Sequence, residues 1–164
     1  MTEKLSRRGL KVHAEYEVDV FRTTRVSDVM TELVTTLPAD ASVADARTLF
    51  DSQPHNAFPL VDEGRLVGII SRGDAIRDGA EPHDPVTSIA SEHVVTVSLD
   101  ETLLDTLNLM LQEEVDHIPV TDQSEQLVGI VTRTDVLRAR REQLEHERRQ
   151  PGWRPPRMRK RAES

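Results

Sequence analysis

Two tetrapeptides carry the residue types of a polar binding site: Ser71-Arg72-Gly73-Asp74 and Thr132-Arg133-Thr134-Asp135. Each sets a hydroxyl, a guanidinium and a carboxylate where an apolar run of strand length gives way to a helical pattern. A helix start presents free N–H groups that favour anions, so the chemistry on offer is hydrogen bonding and charge recognition. The same spacing is also a capping box, in which hydroxyl and carboxylate satisfy the helix's own N–H groups and contribute about 1 kcal/mol. Ser42 with Asp45, and Thr102 with Asp105, repeat that spacing where no ligand is expected, so the binding and capping readings stand side by side.

No catalytic constellation accompanies these residues. There is no cysteine to act as a thiolate, no Gly-rich phosphate loop and no nucleophile elbow, and the carboxylates are scattered as on a solvated surface. His13, His83 and His93 lack metal-ligand spacing. His117, with His55 near the equivalent place, offers a phosphate contact or simply a packed ring. The chain is expected not to be an enzyme.

The elements that must position the tetrapeptides occur twice. Leu66 to Asp74 is repeated sixty-one residues later as Leu127 to Asp135. Earlier pairs are offset by sixty: Val26-Ser27-Asp28-Val29-Met30 answers Val86-Thr87-Ser88-Ile89, Asp40 answers Asp100, and Phe58-Pro59-Leu60-Val61-Asp62 answers Ile118-Pro119-Val120-Thr121-Asp122. The extra residue falls between Asp122 and Gln126, in a turn, where insertions are tolerated. Each copy reads as a short helix (26–30 in the first), a brief strand (35–37, closed by Pro38), a helix, two strands and a further helix, an α/β (α+β) pattern. The main helix of the first copy spans Ser42 to Ser52, with Val43, Ala46, Leu49 and Phe50 on one side, and Leu103, Leu104, Leu107, Met110 and Leu111 form the corresponding face. Ala57–Val61 and Leu66–Ile70 are strands of a hairpin turning at Gly64, matched by His117–Thr121 and Leu127–Val131.

Domain limits follow: a basic lead-in and extended arm (1–25), repeat one (26–78), a breaker-rich linker (79–85), repeat two (86–140), and a charged helix extension with a disordered basic tail (141–164). The last helix is expected to run from Arg133 through Glu145 into solvent. No apolar run approaches the roughly 18 residues that cross a bilayer and no signal-peptide pattern opens the chain, so a soluble, cytoplasmic segment is expected. Residues 26–137 hold five Lys and Arg against twenty-one Asp and Glu, a balance of −16, while residues 1–25 carry +2 and residues 138–164 carry +6. An acidic body and few aromatics argue against nucleic acid as a partner. The basic ends suit solvated tails or contact with an anionic membrane surface.

The doubled order of elements, closed each time by Gly-apolar-apolar-Ser/Thr-Arg-x-Asp, resembles a tandem pair of CBS domains (a Bateman module) over residues 26–137. The resemblance implies two repeats packed through their sheets around a pseudo-twofold axis, clefts between them, and a homodimer. It also implies adenine-nucleotide binding, with no cofactor required: Asp74 and Asp135 toward ribose, Ser71 and Thr132 toward ribose or phosphate, Arg72 and Arg133 adding positive charge, and Phe58 and Ile118 giving apolar surface to the base. A carboxylate is a good acceptor for a vicinal diol. Gly73 weakens the first helix start, which favours the Thr132 site. The −16 body opposes polyphosphates, so AMP, ADP with a cation, or another adenosyl ligand suffers less than free ATP, which would come with Mg²⁺.

A narrower resemblance lies in Arg7-Arg8-Gly9, Glu15 to Val20 and Val26 to Met30, which is similar to the segment joining the membrane part of bacterial ClC-type chloride channels or chloride/proton antiporters to their cytoplasmic CBS pair. It implies a regulatory domain beneath a transmembrane chloride-transport domain. The alternatives are a ligand-independent dimerisation module and a freestanding adenylate sensor acting on a soluble partner. The dimerisation module is distinguished from the sensing domain by whether Asp135 faces an open cleft or its own helix, and the freestanding sensor differs from the transport-linked one only in gene context.

Overall fold

The computed structural model describes residues 20–149. Two three-stranded sheets form, in the orders β1-β2-β3 and β4-β5-β6. The first comprises β1 (Leu37–Pro38), β2 (Ala57–Asp62) and β3 (Arg65–Ser71), and the second comprises β4 (Val97–Ser98), β5 (His117–Thr121) and β6 (Leu127–Thr132). In each sheet the short strand runs parallel to the middle one, and the remaining pair is an antiparallel hairpin. Pro38 is tolerated because β1 is an edge strand, and the strand begins at Leu37, two residues beyond the expected start at Thr35.

The helices begin where the sequence places caps. Helix α1 (Val43–Ser52) has Ser42 as N-cap with a reciprocal bond to Asp45, and α3 (Leu103–Gln112) has Thr102. The bonds from the Ser42 hydroxyl and backbone N–H lower the Asp45 carboxyl below its ordinary range. Helix α2 (Arg72–Ala75) is a single turn, shorter than the helical pattern after Asp74 implies, whereas α4 (Arg133–Arg148) is sixteen residues long. Glycine at the second position of α2 costs helix propensity that Thr134 does not.

The first hairpin turns at Glu63 and Gly64, with φ of 48° and 84°, the pair of positive values that a tight turn matching strand twist requires. The second holds its extra residue with Asp122, whose Oδ1 accepts from the N–H groups of Ser124 (2.8 Å) and Gln126 (3.0 Å).

The opening turn of each repeat packs on the other repeat. Val26, in the 3₁₀ turn Val26–Asp28, is buried with Val97, Leu103, Met110, Ile118, Val120, Val131 and Val136, all from the second copy. Val86, in the turn Val86–Ser88, is buried with Leu37, Ala46, Phe50, Phe58, Leu60, Ile70 and Ala75 of the first. Backbone bonds mirror the exchange: Val26 N–H donates to Glu101 (2.9 Å) and Val86 N–H to Ala41 (2.8 Å). Thr31 exchanges two bonds with Ile130 of β6, and Ser91 does the same with Ile69 of β3. The two copies are related by a pseudo-twofold arrangement in which neither core closes alone.

Residues 16–19 of the expected extended arm lie outside the described residues, and 20–23 form a helical turn rather than an extended segment. The tail from Pro151 also lies outside them. Among the described residues no helix is long and apolar enough to cross a membrane.

Candidate functional site

The exchange carries residues 31–35 across to β6, and this creates a cleft of about 470 Å³ between the repeats. Its walls are the segment 31–35, the loop and strand start 54–59, Asp116 and His117 at the head of β5, Ile130, and the first turn of α4 with Arg138. Of the residues singled out from sequence, His55, Phe58, His117, Thr132, Arg133 and Asp135 line this cleft. Ser71, Arg72 and Asp74 are not among its walls, and neither is Ile118.

Asp135 is buried, at 5 % exposure. Its Oδ2 accepts from the backbone N–H of Thr132 (2.9 Å) and the Thr132 hydroxyl (2.7 Å), while Oδ1 accepts from Arg138 (3.1 Å). It therefore lines the cleft and caps its own helix at once. A carboxylate has about four acceptor positions, so Oδ1 retains one for an incoming hydroxyl. The Thr132 hydroxyl gives its proton to Asp135 and accepts from the Asp135 N–H (3.2 Å), which leaves it an acceptor and no donor for phosphate.

Asp74 repeats the internal geometry, with Ser71 N–H at 3.0 Å, the Ser71 hydroxyl at 2.6 Å and Arg77 at 2.7 Å. The arginines beside the two caps diverge. Arg133 pairs through Nε with Asp116 at 3.1 Å and remains half exposed at the cleft. Arg72 has Asn56 at the place of Asp116, and its Nη2 lies 2.7 Å from the carbonyl oxygen of Phe50 and 3.1 Å from those of Gln53 and His55. Its guanidinium also lies over the Phe50 ring, 5.2 Å from the centroid. Arg72 thus fastens the end of α1 instead of presenting charge to a ligand.

The apolar surface differs from the expectation. Ile118 is fully buried in the second core, and Phe58, at 1 % exposure, packs on Phe50 with ring centroids 4.6 Å apart. Leu33, 94 % exposed at the cleft wall, offers a base far more surface. No pattern in the sequence points to Leu33, because the segment 31–35 has no periodicity. Thr134 is the other residue the motif conceals, since it occupies the variable position. It stands exposed in the first turn of α4, its side chain without a hydrogen-bond partner among the described residues. Its counterpart in the first copy is Gly73, which has no hydroxyl.

His117 lies opposite Thr132 in the β5–β6 pair. Burial pushes its pKa below the ordinary histidine value, Asp116 raises it, His55 lowers it and Asp135 raises it, and the net shift is downward. His55 lines the same cleft from the first repeat, its ring edge-on to Phe58 at 5.8 Å.

Comparison with known proteins places this geometry. The sequence pattern of the CBS domain matches residues 26–81 and again 86–142. The uncharacterized protein MJ0188 of Methanocaldococcus jannaschii is 34% identical over 116 residues, which are 70% of this chain and 43% of that protein. The chain thus spans about two-fifths of the length of that relative. The CBS domain-containing protein YhcV of Bacillus subtilis is 32% identical over 115 residues, 68% of this chain and 81% of YhcV. Among solved structures, CBSX2 in complex with AMP superposes with a TM-score of 0.66 at 26% identity, covering 74% of this chain and 98% of that one. The CBS domain pair of MJ0100, in complex with 5′-methylthioadenosine and S-adenosyl-L-methionine, superposes with a TM-score of 0.64 at 30% identity, covering 70% and 98%. With two matched copies, two three-stranded sheets and a cleft between them, the chain belongs to the CBS domain family.

Proposed function

We propose that this chain is a regulatory CBS pair that senses an adenosine-containing ligand in the cleft at the start of α4. The observation that carries the reading is the combination at Thr132–Asp135: an open cleft, a carboxylate with spare acceptor capacity on Oδ1, and an unpartnered Thr134 hydroxyl at the N-terminus of a sixteen-residue helix. AMP in CBSX2, and methylthioadenosine and S-adenosylmethionine in the MJ0100 pair, support that class of ligand. Asp135 accepts a ribose hydroxyl, Thr134 donates to the phosphate or another polar group on the 5′ side, and Leu33 covers the base. Because residues 31–35 line the cleft and continue from the turn at Val26–Asp28, occupancy acts on the exchanged segment that joins the repeats. A ligand regulates only if it favours one arrangement of that segment over another.

The soluble-partner sensor fits better than the chloride-transport domain, because YhcV is matched over 81% of its length by a CBS pair. None of the relatives described above supports attachment to a chloride channel or antiporter. Dimerisation belongs to the same reading, with Leu111 of α3 and Leu137 of α4 exposed at 60 % and 55 % as apolar surface for a second copy. Thermal melting with and without AMP, S-adenosylmethionine and ATP with Mg²⁺ tests the proposal. An upward shift with an adenosyl ligand and none with guanosine or cytidine nucleotides is expected, while no shift with any of them overturns it.

A further inference from the structure

The charges around the cleft cancel. Arg133 is paired with Asp116 and Arg138 with Asp135, at 3.1 Å in each case, so neither cation reaches a ligand without sharing its carboxylate. The remaining titratable groups on the walls are His55 and His117. They come from different repeats and meet only because the fold brings 54–59 and 116–117 to one cleft. At the corresponding positions, sixty residues apart, His117 is matched by Ala57 and His55 by Val115, so the pair belongs to this cleft alone.

We propose that His55 and His117 select the charge class of the ligand, so that the cleft takes an uncharged adenosyl compound when both imidazoles are neutral and a phosphorylated one when a proton is bound. This inference rests on the adenosyl reading above and specifies its regulation.

Every charged group facing the two rings enters the balance. Asp116 and Asp135 favour the protonated ring at His117 and the His55 imidazole opposes it, while Arg133 and Arg138, each held by one of those carboxylates, share the cleft. Arg72 donates to the backbone carbonyl of His55 at 3.1 Å. Burial outweighs the carboxylates and leaves His117 below its ordinary value, hence neutral near pH 7. A phosphate dianion entering the cleft reverses the balance, because it adds negative charge without a cation of its own. The rings then gain a proton as the anion binds, and by linkage anion affinity rises as pH falls. An uncharged adenosine derives nothing from the proton, so its affinity stays level.

The test is calorimetric titration of the full chain with AMP and with adenosine, at about pH 8 and about pH 6.5, each in two buffers of different ionisation enthalpy. AMP is expected to bind about three- to tenfold more tightly at the lower pH with proton uptake, the limit being about tenfold per pH unit for one linked proton, while adenosine changes less than about twofold. The double variant His55→Asn with His117→Asn, shown to be folded by circular dichroism, is expected to lose the AMP slope. The single variants His55→Asn and His117→Gln guard against a double variant that does not fold, and each is expected to reduce the slope. Level AMP affinity in the native chain, or an unchanged slope in the folded variants, overturns the selector and leaves the adenosyl reading in place. Failure of both AMP and adenosine to bind overturns the adenosyl reading and the selector with it.

Discussion

Gly129 in β6 meets Met30 of the exchanged opening turn so closely that a Cβ on the glycine would stand 2.6 Å from Met30 Sδ and 3.1 Å from the Thr31 carbonyl oxygen. The pseudo-equivalent Gly68 has the Ser91 carbonyl oxygen at 3.2 Å. The glycine shared by the two motifs therefore admits the other repeat's backbone to the sheet. Gly129→Ala is expected to lower stability by about 1–3 kcal/mol, since inserting a methyl into a packed contact displaces its neighbours. Gly68→Ala should cost less, because its nearest contact is longer. Urea midpoints of the two variants check the order.

Arg72 and Arg133 occupy matching positions and serve different ends. Arg72→Ala strips hydrogen bonds from the carbonyls of Phe50, Gln53 and His55 and is expected to cost about 1–3 kcal/mol of stability. Ligand affinity should change little. Arg133→Ala removes a half-exposed ion pair with Asp116 and is expected to cost less than about 1 kcal/mol. Its effect should instead appear as weaker AMP binding. Chemical denaturation and calorimetry on both variants separate the two roles.

Thr134 supplies a hydroxyl donor that Thr132 cannot, because Thr132 has given its proton to Asp135. Thr134→Val keeps the shape and is expected to weaken AMP binding roughly ten- to hundredfold, the value of one lost hydrogen bond to a charged group. Adenosine, which has no phosphate, should be affected less. Titration of the variant with both ligands measures the difference.

Local features of the fold were legible in the sequence. The hairpins and the caps at Ser42, Ser71, Thr102 and Thr132 depend on residues within a few positions of one another, and the repeat is a likeness of two stretches that stands in the chain itself. The partners of distant groups were not legible. Val26, Val29 and Met30 announce a helical turn, yet nothing in their spacing says that its sheet is the second copy's. Arg72 and Arg133 look alike until Asn56 and Asp116 are brought beside them. Ile118 and Phe58 look alike as apolar surface for the base, yet Ile118 is buried in the second core, away from the cleft, while Phe58 lines the cleft with only 1 % of its surface exposed.

In the proposed reading the Thr132–Asp135 cleft, and not the Ser71–Asp74 cap, holds the ligand. Calorimetric titration of the native chain, Asp135→Ala and Asp74→Ala with AMP and with S-adenosylmethionine tests it most directly. Circular dichroism must show that both variants are folded, since each loses a cap worth about 1 kcal/mol. Saturable binding of at least one ligand, about tenfold or more weaker in Asp135→Ala and retained in Asp74→Ala, is the expected result. No binding of either ligand to the native chain, or loss in Asp74→Ala with Asp135→Ala unaffected, overturns this assignment of the site.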